Sequence, residues 1–449
     1  MASSKPEIAF IGLGAMGFGM ATHLVNQGYK VTGFDVWGPT LERFVAAGGL
    51  AATTPAEAVR GKDYCVCMVA TAQQAQAVLW DGEHAAVPAL PRGAAVLLCS
   101  TVPCSYVQSL EQQLLDGREG RPDLLLVDAP VSGGAYRAAD GTLSIMAGAT
   151  DAAIEKTRFL LQEMSDPAKL YIVAGGIGAG SNMKMVHQVL AANQILSTSE
   201  ALGFAAHLGL DLKKAADAVI ASQGKSWMFE HRSPRSLDPN FQPIASAVTI
   251  ILKDTGIITA EARRAGFPTP MTSAAEQVYF TGVGRGYGAD DDSSLVRLYW
   301  EGKGKVGPVA GTATTDEEKL ALVVALLKGI HLCSAGECIA FASRLGLDLD
   351  QVFELCINAA GGSAMLEAVG PEMISLVKNA GGAAAGTQAG DNLEKVVSEL
   401  QGAVDEAQRL KAPIFLGSQA LNLTRLALAH RPTTAPAATS GAVVKVWGS

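Results

Sequence analysis

Three polar residues near the start of a long apolar segment have the types and the spacing for acid–base chemistry. Lys184, His187 and Gln188 stand at positions i, i+3 and i+4, which places them on one face of a helix, one turn apart. A lysine in the first turns of a helix is usually a solvated surface charge. Here the glycine-rich segment GGIGAGS precedes the three residues. We therefore interpret them as the wall of a pocket in which a partly buried Lys184 exchanges protons with a ligand.

A second group of residues has the chemistry of an anion site. Ser132, Gly133 and Gly134 follow the apolar run DLLLVDAPV, so they lie where a buried strand ends. Their backbone amides and one hydroxyl could hold a carboxylate, because glycines leave no side chain in the way. The alternative is a β-turn that simply requires glycine. The pattern favours a pocket for an oxyacid.

A third group is a glycine loop near the N-terminus, between a strand-like run, PEIAFIG, and an amphipathic segment that ends in GY. In such a turn the first glycine permits the tight bend, the second lets the backbone approach a pyrophosphate, and the third lets the helix pack on the strand. The amides at the helix N-terminus supply the anion site. The residues of this predicted dinucleotide loop are Gly12, Leu13, Gly14, Ala15, Met16 and Gly17.

The choice of dinucleotide is indicated by Asp35, which ends the second strand-like run, KVTGFDV. A carboxylate there accepts hydrogen bonds from an adenosine ribose and repels a 2′-phosphate, so NAD is favoured over NADP. Two later loops also follow strand-like runs, and they place Val69 and Ala70 in one loop and Thr101 in the other. We expect all three at the cofactor. For Thr101 a helix N-cap before Pro103 is the alternative.

The elements that must position these residues are predicted from hydrophobic periodicity. Apolar runs alternate with helical or turn segments up to about residue 131, which predicts a doubly wound, largely parallel sheet. The segment that carries Lys184 predicts a helix of roughly 30 residues, about 45 Å long. The fold class is therefore an α/β Rossmann domain followed by an all-α domain.

The composition of the chain limits the classes of partner that it is expected to bind. The 449 residues need more than one core, and the formal charge of −8, with no basic cluster, argues against nucleic acid or an anionic membrane. The N-terminus has no apolar leader, and no uncharged apolar run approaches a membrane span. The seven cysteines form no C-x-x-C pair, so no metal site is predicted and buried reduced thiols are expected. These features favour a cytoplasmic protein.

Four motifs occur in the order found in the β-hydroxyacid dehydrogenases, which the sequence resembles over about residues 5–300. They are GLGAMG, DAPVSGG, GAGSNMK and the KD pair at Lys253 and Asp254. The resemblance implies that Lys184 is the catalytic acid/base, that residues 132–134 hold the substrate carboxylate, and that Lys253 lies near the nicotinamide.

One position departs from the common family pattern. Most members of the family follow the lysine with an Asn pair, where this sequence has His187 and Gln188. That pair resembles the L-threonate dehydrogenase branch, whose substrates are four-carbon polyhydroxy acids, and it implies that both residues contact the substrate.

An internal repeat accounts for the chain beyond residue 300. The segment EALGFAAHLGLD, which begins at Glu200, recurs as ECIAFASRLGLD from Glu337, an offset of 137 residues. The same offset aligns the pocket residues with apolar ones, since Lys184, His187 and Gln188 fall on Ala321, Val324 and Ala325. The sequence thus predicts two tandem copies of the helical domain, the second without the chemistry.

The predicted domains are a Rossmann domain over residues 1–177, a helical substrate domain over 178–301, a degenerate copy over 316–430, and a tail over 431–449. The Gly-rich join is placed at 302–315. The tail is expected to be mobile, although VVKVW could dock on a neighbour. A duplicated domain suits either a monomer with an internal pseudo-dimer or a homodimer.

The predicted function is NAD-dependent interconversion of a small hydroxy acid and its oxo acid. An imine reductase on the same fold is one rival, although such chemistry needs no carboxylate cradle. A non-catalytic sensor of NAD is the other, because a copy without a site could serve as a platform for a partner.

Overall fold

The computed structural model describes residues 5–116, 120–300, 315–379, 391–430 and 438–448. The chain divides into two compact units, Met1–Lys184 and Met185–Ser449. The division falls inside one long helix, Ala179–His207.

Six of the described strands form a parallel sheet in the first unit, in the order β3-β2-β1-β4-β5-β6. This is the order of a dinucleotide-binding sheet, with its switch point between β1 and β4. The strands are β1 (Ile8–Ile11), β2 (Val31–Phe34), β3 (Leu50–Ala51), β4 (Tyr64–Cys67), β5 (Ala95–Leu98) and β6 (Leu125–Asp128). The prediction of a doubly wound parallel sheet is confirmed.

A smaller sheet of three described strands, in the order β7-β8-β9, follows the large one. The strands are β7 (Val131–Ser132), β8 (Leu143–Ala147) and β9 (Ser165–Ile172). Strand β7 pairs with β8 in antiparallel register, with Ser132 opposite Ser144, and β8 pairs with β9 in parallel. The segment predicted to bind a carboxylate therefore begins on an ordered strand.

Helices separate these strands along the chain. They are α1 (Gly17–Asn26), α2 (Gly38–Ala46), α3 (Pro55–Val59), α4 (Ala72–Gln76), a π-helical turn (Ala77–Asp81), α5 (Ala86–Ala89), α6 (Cys104–Leu115), α7 (Gly134–Asp140) and α8 (Asp151–Met164). The strands are apolar on both faces because helices cover both. In β1, Ile8 and Phe10 belong to one buried cluster, while Ala9 and Ile11 belong to another.

The helix predicted to carry Lys184 is α9 (Ala179–His207), 29 residues long, and it spans the division between the two units. The second unit continues with α10 (Leu212–Ile220), α11 (Trp227–Ser236), α12 (Val248–Arg264), α13 (Pro270–Gly284) and a 3₁₀ helix (Asp292–Leu298). Along α9 nearly every side chain is buried, so the helix is a central element of its unit and not an amphipathic surface helix.

A second series of helices follows the undescribed residues 301–314. It comprises α14 (Asp316–Arg344), α15 (Leu349–Ile357), α16 (Ala364–Lys378), α17 (Leu393–Leu410), α18 (Phe415–Ala429) and a 3₁₀ helix (Ser440–Trp447). Helix α14 begins with a capping box at Thr315 and Glu318. The predicted join at 302–315 otherwise lies outside the described residues.

Helix α14 is long and apolar enough to cross a membrane, which the sequence analysis did not anticipate. Of its most apolar 18-residue stretch, 89% is buried inside the protein. Such burial is expected of a core helix surrounded by its neighbours.

The expectation of a mobile tail is wrong for the described end of the chain. The 3₁₀ helix Ser440–Trp447 packs against α14 and α16, with Val443 and Val444 fully buried. The Trp447 indole Nε1 donates to the Pro268 carbonyl oxygen at 3.0 Å. The apolar segment VVKVW thus completes a core within its own unit, because its valines and tryptophan gain more from burial than the chain loses in freedom.

Candidate active site

The glycine loop has the steric features that a bound dinucleotide requires. Gly12 has φ +93°, and a Cβ atom there would lie 2.3 Å from the carbonyl oxygen of Met68. A Cβ at Gly17 would lie 2.0 Å from the Gly12 carbonyl oxygen. A Cβ at Gly14 would meet nothing within 4 Å. The first and third glycines are therefore required by the turn itself, whereas the backbone at the second faces open space.

Asp35, at the end of β2, holds this loop in place. Its carboxylate accepts hydrogen bonds from the Leu13 amide at 2.7 Å and from the Trp37 amide at 2.9 Å. The carboxylate thus ties the turn after β1 to the turn after β2. A loop with an open glycine backbone, a helix N-terminus and a partly exposed carboxylate fits a dinucleotide with an adenosine ribose at Asp35.

The loops after β4 and β5 contain the remaining residues predicted for the cofactor in this unit. The Val69 amide donates to the Ser100 hydroxyl at 2.8 Å, which joins the two loops. The Ala70 amide donates to the Gln74 side-chain oxygen at 2.9 Å. Helix α6 begins at Cys104 with Pro103 at its N-cap position, so Thr101 lies in the loop between β5 and α6.

The Ser132–Gly134 segment has a backbone that only glycines adopt readily. Gly133 has φ +142° and Gly134 has φ +76°, and both are exposed, while Ser132 is half-buried. Helix α7 begins at Gly134, so the segment combines a helix N-terminus with a small backbone. Helix α7 is 7 residues long, and the family resemblance implies that a substrate carboxylate binds at its start.

A buried carboxylate that sequence reasoning missed fixes the start of α9. Asp128, at the end of β6, is fully buried and accepts hydrogen bonds from the Ser181 amide and the Ser181 hydroxyl, both at 2.7 Å. Burial raises the pKa of Asp128 to about 6, although the bonds from Ser181 oppose that shift. The carboxylate satisfies amide and hydroxyl donors in the first turn of α9, so it positions the helix that carries Lys184.

Close packing at the same point explains the glycine-rich entry to α9. A Cβ at Gly180 would lie 2.3 Å from the Met146 carbonyl oxygen, and one at Gly148 would lie 2.5 Å from the Gly176 carbonyl oxygen. The backbones of β8 and α9 therefore approach more closely than alanine would allow. One turn later Lys184 is only 5% exposed. Its ammonium is not the solvated surface charge that a lysine near a helix start usually is.

In the second unit, hydrogen bonds join His187 to Gln188 and Gln188 to Asp254, and Asp254 forms an ion pair with Lys253. The Gln188 amide nitrogen Nε2 donates to Asp254 Oδ2 at 2.5 Å, and Lys253 Nζ lies 3.2 Å from Asp254 Oδ1. Gln188 Oε1 therefore faces His187 Nδ1, at 3.1 Å. Because an amide oxygen only accepts, this network assigns the proton to Nδ1 of the imidazole.

The consequence is a histidine of fixed tautomer and orientation. His187 is fully buried, and in the tautomer that carries its proton on Nδ1 the acceptor nitrogen is Nε2. Sequence reasoning placed His187, Gln188 and Lys253 in a site without identifying Asp254 as the residue that links them. The sequence signal for Asp254 is the KD pair itself, because the carboxylate there can accept a hydrogen bond from a residue of another helix, as it does from Gln188.

Two family models match most of the chain. Residues 7–176 match the NAD-binding domain of 6-phosphogluconate dehydrogenase. Residues 178–299 and again 318–446 match the NAD-binding domain of NADP-dependent 3-hydroxyisobutyrate dehydrogenase.

Individual relatives agree. The chain is 36% identical over 293 residues to L-threonate dehydrogenase of Cupriavidus necator, a match that covers 65% of this chain and 96% of the relative. A solved 3-hydroxyisobutyrate dehydrogenase from Salmonella typhimurium is 32% identical with a TM-score of 0.59, and the match covers 66% of this chain and all of that one.

A third likeness extends over nearly the full length. The 6-phosphogluconate dehydrogenase of Plasmodium falciparum has a TM-score of 0.71 and covers 95% of this chain and 94% of its own at 15% identity, which shows a shared fold. With the glycine loop, the parallel sheet and the buried lysine helix, these matches show that the chain belongs to the β-hydroxyacid dehydrogenase family, enzymes that act on hydroxy acids with a nicotinamide cofactor.

Proposed function

We propose that this enzyme oxidises a four-carbon sugar acid of the L-threonate type with NAD. The observation that carries the proposal is the buried Lys184 on α9, followed one turn later by His187 and Gln188. The relative that is 36% identical is named as an L-threonate dehydrogenase. A histidine and an amide fixed by Asp254 offer polar atoms for more than one substrate hydroxyl, which suits a polyhydroxy acid.

The chain's own groups have separate roles in this reaction. The amides and hydroxyl of Ser132, Gly133 and Gly134 bind the substrate carboxylate and so orient the hydroxyl carbon. Lys184, in its neutral form, takes the proton from the substrate hydroxyl as the carbon–oxygen bond becomes a carbonyl. A nicotinamide cofactor held at the glycine loop and Asp35 would supply the hydride acceptor for this oxidation. Asp128 keeps Lys184 in place by holding the first turn of α9.

NAD is proposed over NADP because of the charge at Asp35. Its carboxylate already accepts two backbone amides, and it has further lone pairs for a ribose hydroxyl. A 2′-phosphate at the same place would bring a second negative charge against it. Lys253 is proposed to lie near the nicotinamide, as the family resemblance implies.

We further propose that the second series of helices is a tandem copy of the first. Helices α9 and α14 begin and end at an offset of 137 residues, and so do α10 and α15. Helices α13 and α18 share an offset of 145 residues. The same family model matches both series.

The contacts between the two series are reciprocal, as in a symmetric dimer. The Trp227 amide donates to the Gly362 carbonyl oxygen at 2.8 Å, and the Ala364 amide donates to the Lys225 carbonyl oxygen at 3.0 Å. These pairs exchange places under the offset of 137 residues. Ser226 and Ser363, which cap α11 and α16, also form a β-bridge with each other.

Two buried glutamates repeat the pattern. Glu200 on α9 accepts the Leu416 and Gly417 amides at the start of α18, at 3.0 and 2.8 Å. Glu337 on α14 accepts the Met271 and Thr272 amides at the start of α13, at 2.8 and 2.9 Å. Each copy thus caps a helix of the other, which supports an internal pseudo-dimer within one chain.

The experiment is NADH formation with L-threonate, D-erythronate, D-glycerate and 3-hydroxyisobutyrate, with NADP as a cofactor control. Lys184→Ala should lower kcat by about 10²- to 10⁴-fold, because it removes the proton acceptor, while the affinity for NAD stays within about twofold. Lys169→Ala, on β9, is the control and should leave both unchanged.

Activity on the four-carbon acids with NAD, lost in the Lys184 variant, supports the proposal. Equal losses of turnover and NAD affinity would contradict the role of Lys184. If no NADH forms with any of the acids although NAD still binds, the imine reductase or the NAD sensor is favoured.

A further inference from the structure

The loop of residues 358–363, in the second series of helices, lies against the imidazole of His187. A Cβ atom added to Gly361 would stand 3.4 Å from His187 Cδ2, and 3.1 and 3.2 Å from Cδ1 and Cβ of Leu190. The backbone of Gly361 is not in the left-handed region. The glycine is therefore needed for the space it leaves beside His187 and not for its conformation.

This loop is held where it is by hydrogen bonds on both sides. The Gln194 side chain on α9 donates from Nε2 to the Gly361 carbonyl oxygen at 2.7 Å. The neighbouring Gly362 carbonyl oxygen accepts the Trp227 amide. At Ser363 the chain enters α16, with the Ser363 hydroxyl accepting the Leu366 amide at 3.2 Å. These hydrogen bonds hold the loop next to the imidazole.

His187 is thus fixed by two different parts of the chain. Gln188 accepts from Nδ1, and the backbone of Gly361 borders the space next to Cδ2, on the other side of the ring. Since Nε2 lies between Cδ2 and Cε1 in the ring, the direction in which Nε2 points depends on how closely the 358–363 loop approaches.

The equivalent loop in the first series, which contains Gly224, provides a comparison within the same chain. A Cβ at Gly224 would stand 3.3 and 3.4 Å from Cδ1 and Cβ of Leu327, the residue at the offset of 137 from Leu190. The residue there that corresponds to His187 is Val324. A Cβ in either loop would therefore meet a leucine. Its third neighbour would be the His187 imidazole at Gly361, but the Ser222 hydroxyl, at 3.3 Å, at Gly224.

We propose that Gly361 is a positioning residue for His187, through which the second series of helices sets the substrate specificity of the site. This inference rests on the proposed function, in which His187 binds a substrate hydroxyl. It assigns the second copy a part in catalysis beyond packing, although it has no lysine of its own at the corresponding position.

The test compares Gly361→Ala with Gly224→Ala in the full-length enzyme. Both add one methyl group at a similar clearance, so we expect both to lower the melting temperature by comparable amounts. Gly361→Ala alone should raise the KM for L-threonate by about three- to tenfold. The added methyl group is tight against Leu190 and just reaches His187 Cδ2, so a movement of this part of α9 that relieves the Leu190 contact also moves the imidazole. The KM for D-glycerate, which has one hydroxyl fewer, should change less, and the KM for NAD should stay the same.

A second readout does not depend on turnover. In protein labelled with ¹³C-histidine, the Cδ2–H resonance of His187, assigned by its loss in His187→Gln, should shift in Gly361→Ala and not in Gly224→Ala. An unshifted resonance overturns the inference, and so does a shifted resonance with an unchanged ratio of KM for the two acids. A wild-type enzyme that turns over no hydroxy acid overturns the proposed function instead, and the resonance then decides whether Gly361 positions His187.

Discussion

Asp35 shows how one side chain can serve both structure and specificity. Its carboxylate accepts two amides from separate turns, so the same charge that would discourage a 2′-phosphate also holds the glycine loop. Hydrogen bonds from backbone amides to an ionised carboxylate are stronger than those to a neutral acceptor. The sequence predicted a role in the choice of cofactor from the position of Asp35 after β2. The hydrogen bond to the Leu13 amide could not be predicted, because it depends on the order of the strands in the sheet.

Asp35→Asn should therefore have two effects. Removing the charge should lower the ratio of kcat/KM for NAD to that for NADP by about tenfold, or roughly 1.4 kcal/mol. Because the amide group accepts through one oxygen only, the KM for both cofactors should also rise. Steady-state kinetics with each cofactor measure both effects. Glu42→Gln, at an exposed position on α2, removes one negative charge as a control. A ratio that changes equally in the two variants would contradict the role of Asp35.

Helix α9 shows what a carboxylate at a helix start does for a site. Asp128 accepts the Ser181 amide and hydroxyl beside glycines that let the backbones of β8 and α9 approach closely. The sequence predicted the length of α9 and the common face of its three polar residues, because periodicity determines both. It did not predict Asp128, since a carboxylate at a strand end has the same appearance in sequence whether it is buried or solvated.

Ser181→Ala should destabilise the enzyme in a pH-dependent way. The variant leaves a buried carboxylate oxygen without the hydroxyl, at a cost of about 1–3 kcal/mol in the free energy of unfolding. Burial already raises the pKa of Asp128 to about 6, and the loss of the serine bond raises it further. The cost should be larger at pH 8, where Asp128 is ionised, than at pH 5, where it is protonated. Urea unfolding at the two pH values measures it.

Ser334→Ala provides the matched control, because the Ser334 hydroxyl is also buried but donates to the neutral Ile330 carbonyl oxygen at 2.8 Å. Its cost should be the same at both pH values. Equal pH dependence in the two variants would show that Ser181 does not act through the Asp128 carboxylate.

At the scale of the whole molecule, the repeat proposed from the sequence predicts which helices correspond but not which residues they contact. The offset aligns Glu200 with Glu337, yet nothing in the letters shows that each glutamate caps a helix of the other series. Similarly, the Gly-Gly-Ser of residues 361–363 has the composition of an ordinary turn, and its approach to His187 follows only from how the helices pack. Long-range contacts of this kind are not encoded in any local pattern.

The buried glutamates predict how stability depends on pH. Burial raises the pKa of Glu337 to about 7, above the ordinary value near 4.5 that it regains on unfolding. The folded chain thus binds a proton that the unfolded chain has released between about pH 4.5 and 7. Stability from this group is complete below pH 4.5 and is lost as the pH rises through 7. Glu337→Gln should therefore flatten the fall in the free energy of unfolding over this range, by at most about 1.4 kcal/mol per pH unit.

Denaturant unfolding at several pH values between 4.5 and 8 measures this slope. Glu367→Gln, at an exposed position on α16, is the control and should keep the wild-type slope. A Glu337→Gln slope equal to that of wild type would show that the buried carboxyl does not titrate in this range.

The reciprocal bonds between the two series of helices also have a genetic consequence. In an assembly of two identical chains, one codon change alters both sides of a symmetric contact at once. Here Lys225 and Gly362, or Glu200 and Glu337, are encoded separately, so each side can be changed and inherited alone. Under the proposed duplication, one series can therefore keep the proposed site residues Lys184 and His187 while its counterpart has Ala321 and Val324, an asymmetry that a homodimer encoded by a single gene cannot have.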